Sequence, residues 1–269
     1  MTSTGEAAPP AAEPKAPELS IVLATLNERR NLPELLERIR RQPLPECEIL
    51  VVDDGSTDGT REYLREAAGS DPRIHLICHE GKQTTLRAQC QGIEASRGKF
   101  VIVMDADLQH PPELLVPMWR QLESGSAVVV ASRYTPGGSA GPRTTFRWSV
   151  SRGAEWLAKI LLPPSRGVRD PISGYFGFRR AIWVPLDPRY RGYKLLVFLL
   201  VMADGERVTE LGYQFTPRSE GASKVTQGFA FVRIFAIEVL LARRLNREIR
   251  GRPDRRPPVP PSDAEPKAA

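Results

Sequence analysis

Through the first half of the chain, short apolar runs alternate with segments whose apolar residues recur at helical spacing. Residues 19–26 (LSIVLATL), 48–53 (EILVVD), 73–78, 100–105 (FVIVMD) and 127–132 (AVVVAS) are apolar runs of strand length, the pattern of strands buried on both faces. Between them, 31–41, 60–67, 83–96 and 112–122 read as helices. Asn31 stands at the N-cap position of the first with Pro33 in its opening turn, and Pro112 opens the last. This alternation predicts an α/β fold with a mostly parallel sheet covered on both faces. Such sheets bind ligands beyond the carboxyl ends of their strands. Two of those ends are acidic: the second strand runs into Asp53-Asp54-Gly55-Ser56, the fourth into Asp105-Ala106-Asp107-Leu108-Gln109.

In an extended segment, side chains at i and i+2 share a face, so Asp105 and Asp107 can converge on one cation, with Gln109 adding a carbonyl oxygen. Magnesium and manganese favour such oxygen donors, and Mg²⁺ typically takes one or two carboxylates together with substrate phosphates and water. A single D-x-D is more often a solvated turn. Two acidic strand ends in one α/β half weigh against that plainer reading. Neither G-x-G-x-x-G nor G-x-x-x-x-G-K-[ST] occurs, so a dinucleotide fold and a P-loop are unsupported.

Composition narrows the partners only slightly. The 269 residues carry 38 Lys+Arg against 32 Asp+Glu, a net +6 that suits nucleic acid, an anionic membrane or a phosphate-bearing substrate equally. Proline is enriched at 25 residues, and ten of these lie in 1–17 and 251–269, which read as disordered tails. Cys47, Cys78 and Cys90 lack C-x-x-C spacing and suit a reducing cytoplasm. The first residues read as no signal peptide, and no run reaches the ~18 apolar residues of a membrane span. Residues 225–250 read as one long helix with an apolar half, interrupted by Arg233 and Glu238, and a basic end. It either lies in a membrane interface or packs on the preceding domain.

The segments LNERRNLPELLERI, EILVVDDGSTDGT, FVIVMDADLQHPPELL, ASRYTPGG, VRDPISGYFGFRR, GYK and RSEGASK occur in the order seen in family 2 inverting glycosyltransferases. From about residue 20 to 224 the chain resembles the dolichol-phosphate (polyprenol-phosphate) mannosyltransferases of that family. The resemblance implies a GT-A type nucleotide-sugar-binding α/β domain over 18–224, followed by an amphipathic helix at 225–250. It implies Asp105, Asp107 and Gln109 as ligands of Mg²⁺ or Mn²⁺. The nucleotide sugar, GDP-mannose first among candidates, would meet Ala24, Leu26, Glu28, Asp54, Lys82 and Asp105. A polyprenyl phosphate would meet Arg133, Arg147, Ser151, Arg218 and Lys224, arginine forks and a lysine being suited to phosphate. Asp107, Arg133 and Arg218 are the implied catalytic residues, and Asp170 and Ser173 also match.

The chain departs from that pattern at two places. Ala24-Thr25-Leu26-Asn27-Glu28 stands where Pro-Thr-Tyr-Asn-Glu is usual, and 81–87 (GKQTTLR) replaces a glycine-containing loop. A UDP-sugar donor, glucose included, is the alternative enzyme reading. A non-catalytic basic binding protein is the remote one and leaves the acidic strand ends unexplained. The expected setting is peripheral, at the cytoplasmic face of a membrane, reached directly or through a membrane-anchoring partner, with no role for nucleic acid.

Overall fold

A computed structural model of the chain describes residues 16–81, 83–139, 141, 145–187, 190, 192–215 and 229–251. Five apolar runs form strands within a residue or two of their expected ends: β1 (Leu19–Thr25), β2 (Cys47–Asp53), β3 (Ile74–Cys78), β4 (Phe100–Asp105) and β5 (Val128–Ser132). Helices α1 (Leu32–Arg40), α2 (Thr60–Ser70), α3 (Thr85–Ala95) and α4 (Leu115–Glu123) separate them, the last preceded by a single 3₁₀ turn at Pro112–Leu114. Asn31 does not cap α1 with its side chain; its amide instead donates to the Glu28 carboxylate at 2.6 Å. In the second half come α5 (Thr145–Leu161), β6 (Phe176–Arg179), α6 (Leu196–Met202), β7 (Val208–Gly212) and α7 (Phe229–Arg250).

The seven strands form one sheet in the order β3-β2-β1-β4-β6-β5-β7. All neighbours are parallel except β6, which runs antiparallel to both β4 and β5. Alternate residues of each strand feed two separate cores, as the period of two requires. Val22, Leu50, Val101, Val103, Val128 and Val130 pack with α3, α5, α6 and α7 on one face. Ile21, Leu23, Ile49, Val51, Ile102, Met104 and Val129 pack with α1, α2 and α4 on the other.

The helix at the C-terminal end of the described chain is part of the first of these cores. Phe235, Val239 and Ala242 of α7 are buried there, so this helix packs on the domain. Its outward positions mix Ile237 and Leu240 with Arg233, Arg243, Arg244 and Arg247. The tails expected at 1–17 and 251–269 fall outside the described residues except for Ala16, Pro17 and Gly251.

Candidate active site

Strand register brings the acidic ends level. Thr25 lies beside Asp53, and Ala24 beside Asp105, so β1, β2 and β4 present their carboxyl ends along one edge. Because β6 reverses, β5 and β7 also end on that edge, adding Arg133, Tyr213 and Phe215 to it.

Asp105 is the last residue of β4, and the chain then turns instead of continuing as a strand. Leu108 sits at a φ of +62°, a region few branched side chains occupy, so the turn 106–110 is held in a strained form of the kind found at functional sites. Asp107 is therefore presented by a turn and not by strand alternation. Its Oδ1 accepts the Gln109 N–H at 3.2 Å, and the residue is only 4% exposed. The Asp105 carboxylate is more open.

His110 closes the turn from beneath. Its Nδ1 accepts the backbone N–H of Asp105 at 2.9 Å, and its ring stacks on Tyr175 with centroids 5.0 Å apart. Burial pushes the imidazole below its ordinary pKa, with Arg133 and Lys194 pushing the same way against the pull of Asp105 and Asp107. A neutral ring is what an Nδ1 acceptor needs. Gly174 completes the support: a Cβ there would meet the His110 ring and the Asp105 carboxylate at 3.3–3.4 Å. No motif points to His110, because one histidine without ligand spacing carries no signal of its own.

Asp105, Asp107 and Gln109 offer hard oxygen donors at a strand end, which fits a divalent cation of the Mg²⁺ or Mn²⁺ type. Among the described residues no three His, Cys, Asp or Glu side chains gather as a metal cage. Two carboxylates plus phosphate oxygens and water is the arrangement that Mg²⁺ sites commonly adopt.

Arg133, just beyond β5, makes a two-pronged pair with Asp170: Nε to Oδ2 and an Nη to Oδ1, both 2.7 Å, and its backbone N–H also reaches Oδ2 at 3.1 Å. Burial works against the guanidinium charge, but the Asp170 carboxylate outweighs it and raises the pKa above the usual arginine value. Asp170 is itself held by Glu210 of β7, whose carboxylate accepts the N–H groups of Arg169 and Asp170 at 2.8 and 3.0 Å. Asp170 is thus an ion-pair partner rather than a simple turn cap. Ser173 donates to the Ala131 carbonyl at 2.7 Å and fixes the same turn to β5.

On the nucleotide side, Ala24 and Leu26 are partly buried at the exit of β1. The Glu28 carboxylate faces Asn31 at the start of α1, and its backbone N–H donates to Thr60 Oγ1 at 3.0 Å, tying the first two crossovers together. Asp54 turns inward: Oδ1 accepts the Gln83 N–H at 2.8 Å and lies 3.2 Å from His79 Nδ1. That carboxylate holds the loop after β3 in place. Lys82, Arg218 and Lys224 lie outside the described residues, as do the side chains of Arg147, Ser151 and Arg152 in the first two turns of α5.

A profile described as Glycosyl transferase family 2 matches residues 20–183, most of this ordered frame and both acidic strand ends. The chain belongs to glycosyl transferase family 2. Its relatives include a dolichol-phosphate mannosyltransferase of Pyrococcus furiosus, 34% identical over 77% of this chain and 59% of that protein. This chain therefore spans about three-fifths of that relative's length. A polyprenol monophosphomannose synthase of Mycolicibacterium smegmatis is 34% identical over 77% of this chain and 80% of its own. A dolichol-phosphate mannosyltransferase of Saccharomyces cerevisiae is 29% identical over 78% and 81%. Among solved structures, this family 2 chain resembles glucosyl-3-phosphoglycerate synthase from Mycobacterium tuberculosis, in a crystal complex with Mn²⁺, uridine diphosphate and glucosyl-3-phosphoglycerate. The TM-score is 0.61 at 22% identity, covering 84% of this chain and 80% of that one, a likeness of fold. The family 2 domain here is of the GT-A type, a mostly parallel seven-stranded sheet between helices.

Proposed function

We propose that this family 2 protein transfers mannose from GDP-mannose to a polyprenyl, dolichyl-type phosphate with inversion, using Mg²⁺ or Mn²⁺. The observation that carries the reading is the pairing of an oxygen-donor turn at β4 with a buried cation, Arg133, on the same sheet edge, in a chain whose relatives bear mannosyltransferase names. A bound divalent cation would offset the negative charge of the departing diphosphate. Asp105, Asp107 and Gln109 would hold it. A lipid phosphate is ionised at neutral pH, so its oxygen attacks the anomeric carbon without a general base. The protein's contribution is then positioning and charge: His110 and Gly174 fix Asp105, and Asp170 fixes Arg133 toward the incoming phosphate. Arg147, Ser151, Arg218 and Lys224 complete the acceptor side, and Ala24, Leu26, Glu28, Asp54 and Lys82 the donor side.

Incubating the protein with polyprenyl phosphate and a panel of radiolabelled GDP- and UDP-sugars tests this. Label is expected in the lipid fraction from GDP-mannose and only with a divalent cation. Transfer from UDP-glucose instead would overturn the donor assignment; the glucosyl-3-phosphoglycerate synthase complex with uridine diphosphate keeps that arm in the panel.

The acceptor's tail calls for a bilayer, and no described helix is long and apolar enough to cross one. Among the described residues the exposed large apolar side chains are Trp156, Ile160, Ile237 and Leu240, all on the paired helices α5 and α7. Arg243, Arg244 and Arg247 follow directly along α7. Apolar side chains beside a cationic run suit peripheral attachment to an anionic surface at the cytoplasmic face, alone or with an anchoring partner. Trp156→Glu/Leu240→Glu should weaken sedimentation with phosphatidylglycerol-containing vesicles by about tenfold or more, given ~1.5–3 kcal/mol for burying each large apolar side chain. Unchanged partitioning would exclude this face as the attachment surface.

A further inference from the structure

The two neighbouring carboxylates at the end of β2 meet different partners. Asp53 is fully buried, and its Oδ2 accepts Arg61 Nε at 2.5 Å and the Ser56 N–H at 3.2 Å. A guanidinium from α2 thus balances its charge. Asp54 has no arginine or lysine within ion-pair distance among the described residues. Its side chain is 8% exposed, and the two donors it meets, His79 Nδ1 at 3.2 Å and the Gln83 N–H at 2.8 Å, both fall on Oδ1.

A carboxylate has about four acceptor sites over its two oxygens. Oδ2 of Asp54 stands without a donor among the described residues, a costly state for a nearly buried group. The backbone shows where this carboxylate stands. The Asp54 N–H donates to the Thr25 carbonyl at 3.0 Å, which sets the residue at the exits of β1 and β2, on the edge that carries Asp105.

His79 arrives from the other side, as the first residue past β3. Its backbone is held without help from the ring: the N–H donates to the Asp53 carbonyl at 2.9 Å, and the carbonyl accepts an Nη of Arg61. The end of β3 is therefore anchored whatever side chain stands at 79. The ring is 6% exposed, and its Nε2 is buried with no partner among the described residues. For packing alone, an apolar side chain would serve at lower cost. What the ring supplies is one hydrogen bond to Asp54, and Nδ1 carries the proton there because a carboxylate can only accept. Thr84 then caps α3 by accepting the Arg87 N–H at 3.3 Å, so side chains shape the loop that replaces a glycine-containing one.

We propose that His79 is a positioning residue for nucleotide binding. By holding Oδ1 of Asp54 it turns Oδ2 toward a hydrogen-bond donor of the nucleoside, either a ribose hydroxyl or a base N–H. This rests on the donor-side reading of Asp54 above, and the two donors are separated by experiment.

The full-length protein should be titrated calorimetrically with GDP and UDP in the presence of Mg²⁺, and with the 2′-deoxy and 3′-deoxy analogues of whichever binds. Asp54→Ala is expected to weaken binding ten- to a hundredfold, the range of a hydrogen bond to a charged group. His79→Leu should weaken it about tenfold, and the double variant should be no worse than Asp54→Ala. His79→Asn should restore most of the loss, since asparagine carries an N–H donor near the place of histidine Nδ1. If a deoxy analogue binds the wild type weakly and equally well to His79→Leu, the ribose is the partner. If both analogues bind as the parent does and lose the same factor in His79→Leu, the base is. Either result supports the proposal.

His79→Leu within twofold of wild type while Asp54→Ala weakens binding overturns the role of His79 and leaves the donor-side reading intact. So does a lowered melting temperature in His79→Leu with unmoved affinity, the outcome of a purely structural histidine. Unchanged affinity in Asp54→Ala overturns both. If the wild type binds a nucleotide but transfers no sugar, the transfer reading fails and the titration still decides on His79. A wild type that binds neither nucleotide overturns the proposal together with the reading beneath it.

Discussion

Asp107→Asn is expected to reduce cation-dependent sugar transfer by a factor on the order of 10²–10³, comparable to deleting a preorganised group that meets developing charge in a transition state. The substitution isolates charge from shape. Asparagine keeps the side-chain oxygen that accepts the Gln109 N–H, so the turn after β4, with its left-handed Leu108, has no reason to rearrange. What is lost is one formal negative charge at a nearly buried oxygen, and with it the cation's preference for the site. Transfer assays over a Mg²⁺ and Mn²⁺ series, with calorimetric titration of Mn²⁺ in the presence of nucleotide, read the two losses separately. A variant that transfers at the wild-type rate would remove Asp107 from the cation site.

Asp170→Ala should produce the largest loss of stability, about 3–5 kcal/mol, because it leaves Arg133 buried without its partner. The Arg133 side chain is 10% exposed and that of Asp170 is fully buried, so water cannot take over the solvation. The loss would appear as a lowered urea midpoint with an unchanged slope. The double substitution Arg133→Met/Asp170→Leu should regain much of the stability, since a buried pair replaced by apolar side chains of similar size is often neutral or better. It should regain none of the transfer. A single Asp170→Ala variant with an unaltered midpoint would mean that Arg133 finds another anion or turns outward.

Strands β1–β5 were legible from pattern alone because each is mostly apolar and bounded by turn chemistry; β1, β2, β4 and β5 lie buried in the sheet, while β3 at its edge is partly exposed. β6 and β7 were not. β6 has four residues, and its Gly177 is explained only by the sheet: a Cβ there would press on Ile102 at 2.9 Å and Leu122 at 3.1 Å. β7 is an edge strand of intermediate exposure with no apolar run, and its recruitment depends on parallel pairing with β5. The apolar stretch at 195–203 shows neither period clearly, and it becomes a helix, α6, buried on nearly every side.

The site divides the same way. Asp105 and Asp107 could be found by their place at a strand end. His110 could not, because its role is to accept the Asp105 N–H and stack on Tyr175, which no ligand spacing announces. The family resemblance supplied Arg133 and the RDPISG turn; only the fold joins Arg133 to Asp170.

The reversed strand β6 also bears on how this site comes into being. The segment from β1 to β4 alternates strand and helix in sequence, and its strands pair directly with one another in the order β3-β2-β1-β4. β5 and β7 reach β4 only through β6, which the chain delivers after α5. Asp105 and Asp107 stand on the β4 side of that seam, and Arg133 and Asp170 on the side of β5 and β6. A substrate that touches both sides therefore acts as a staple across the sheet, and its binding should protect the β4–β6 seam from transient opening.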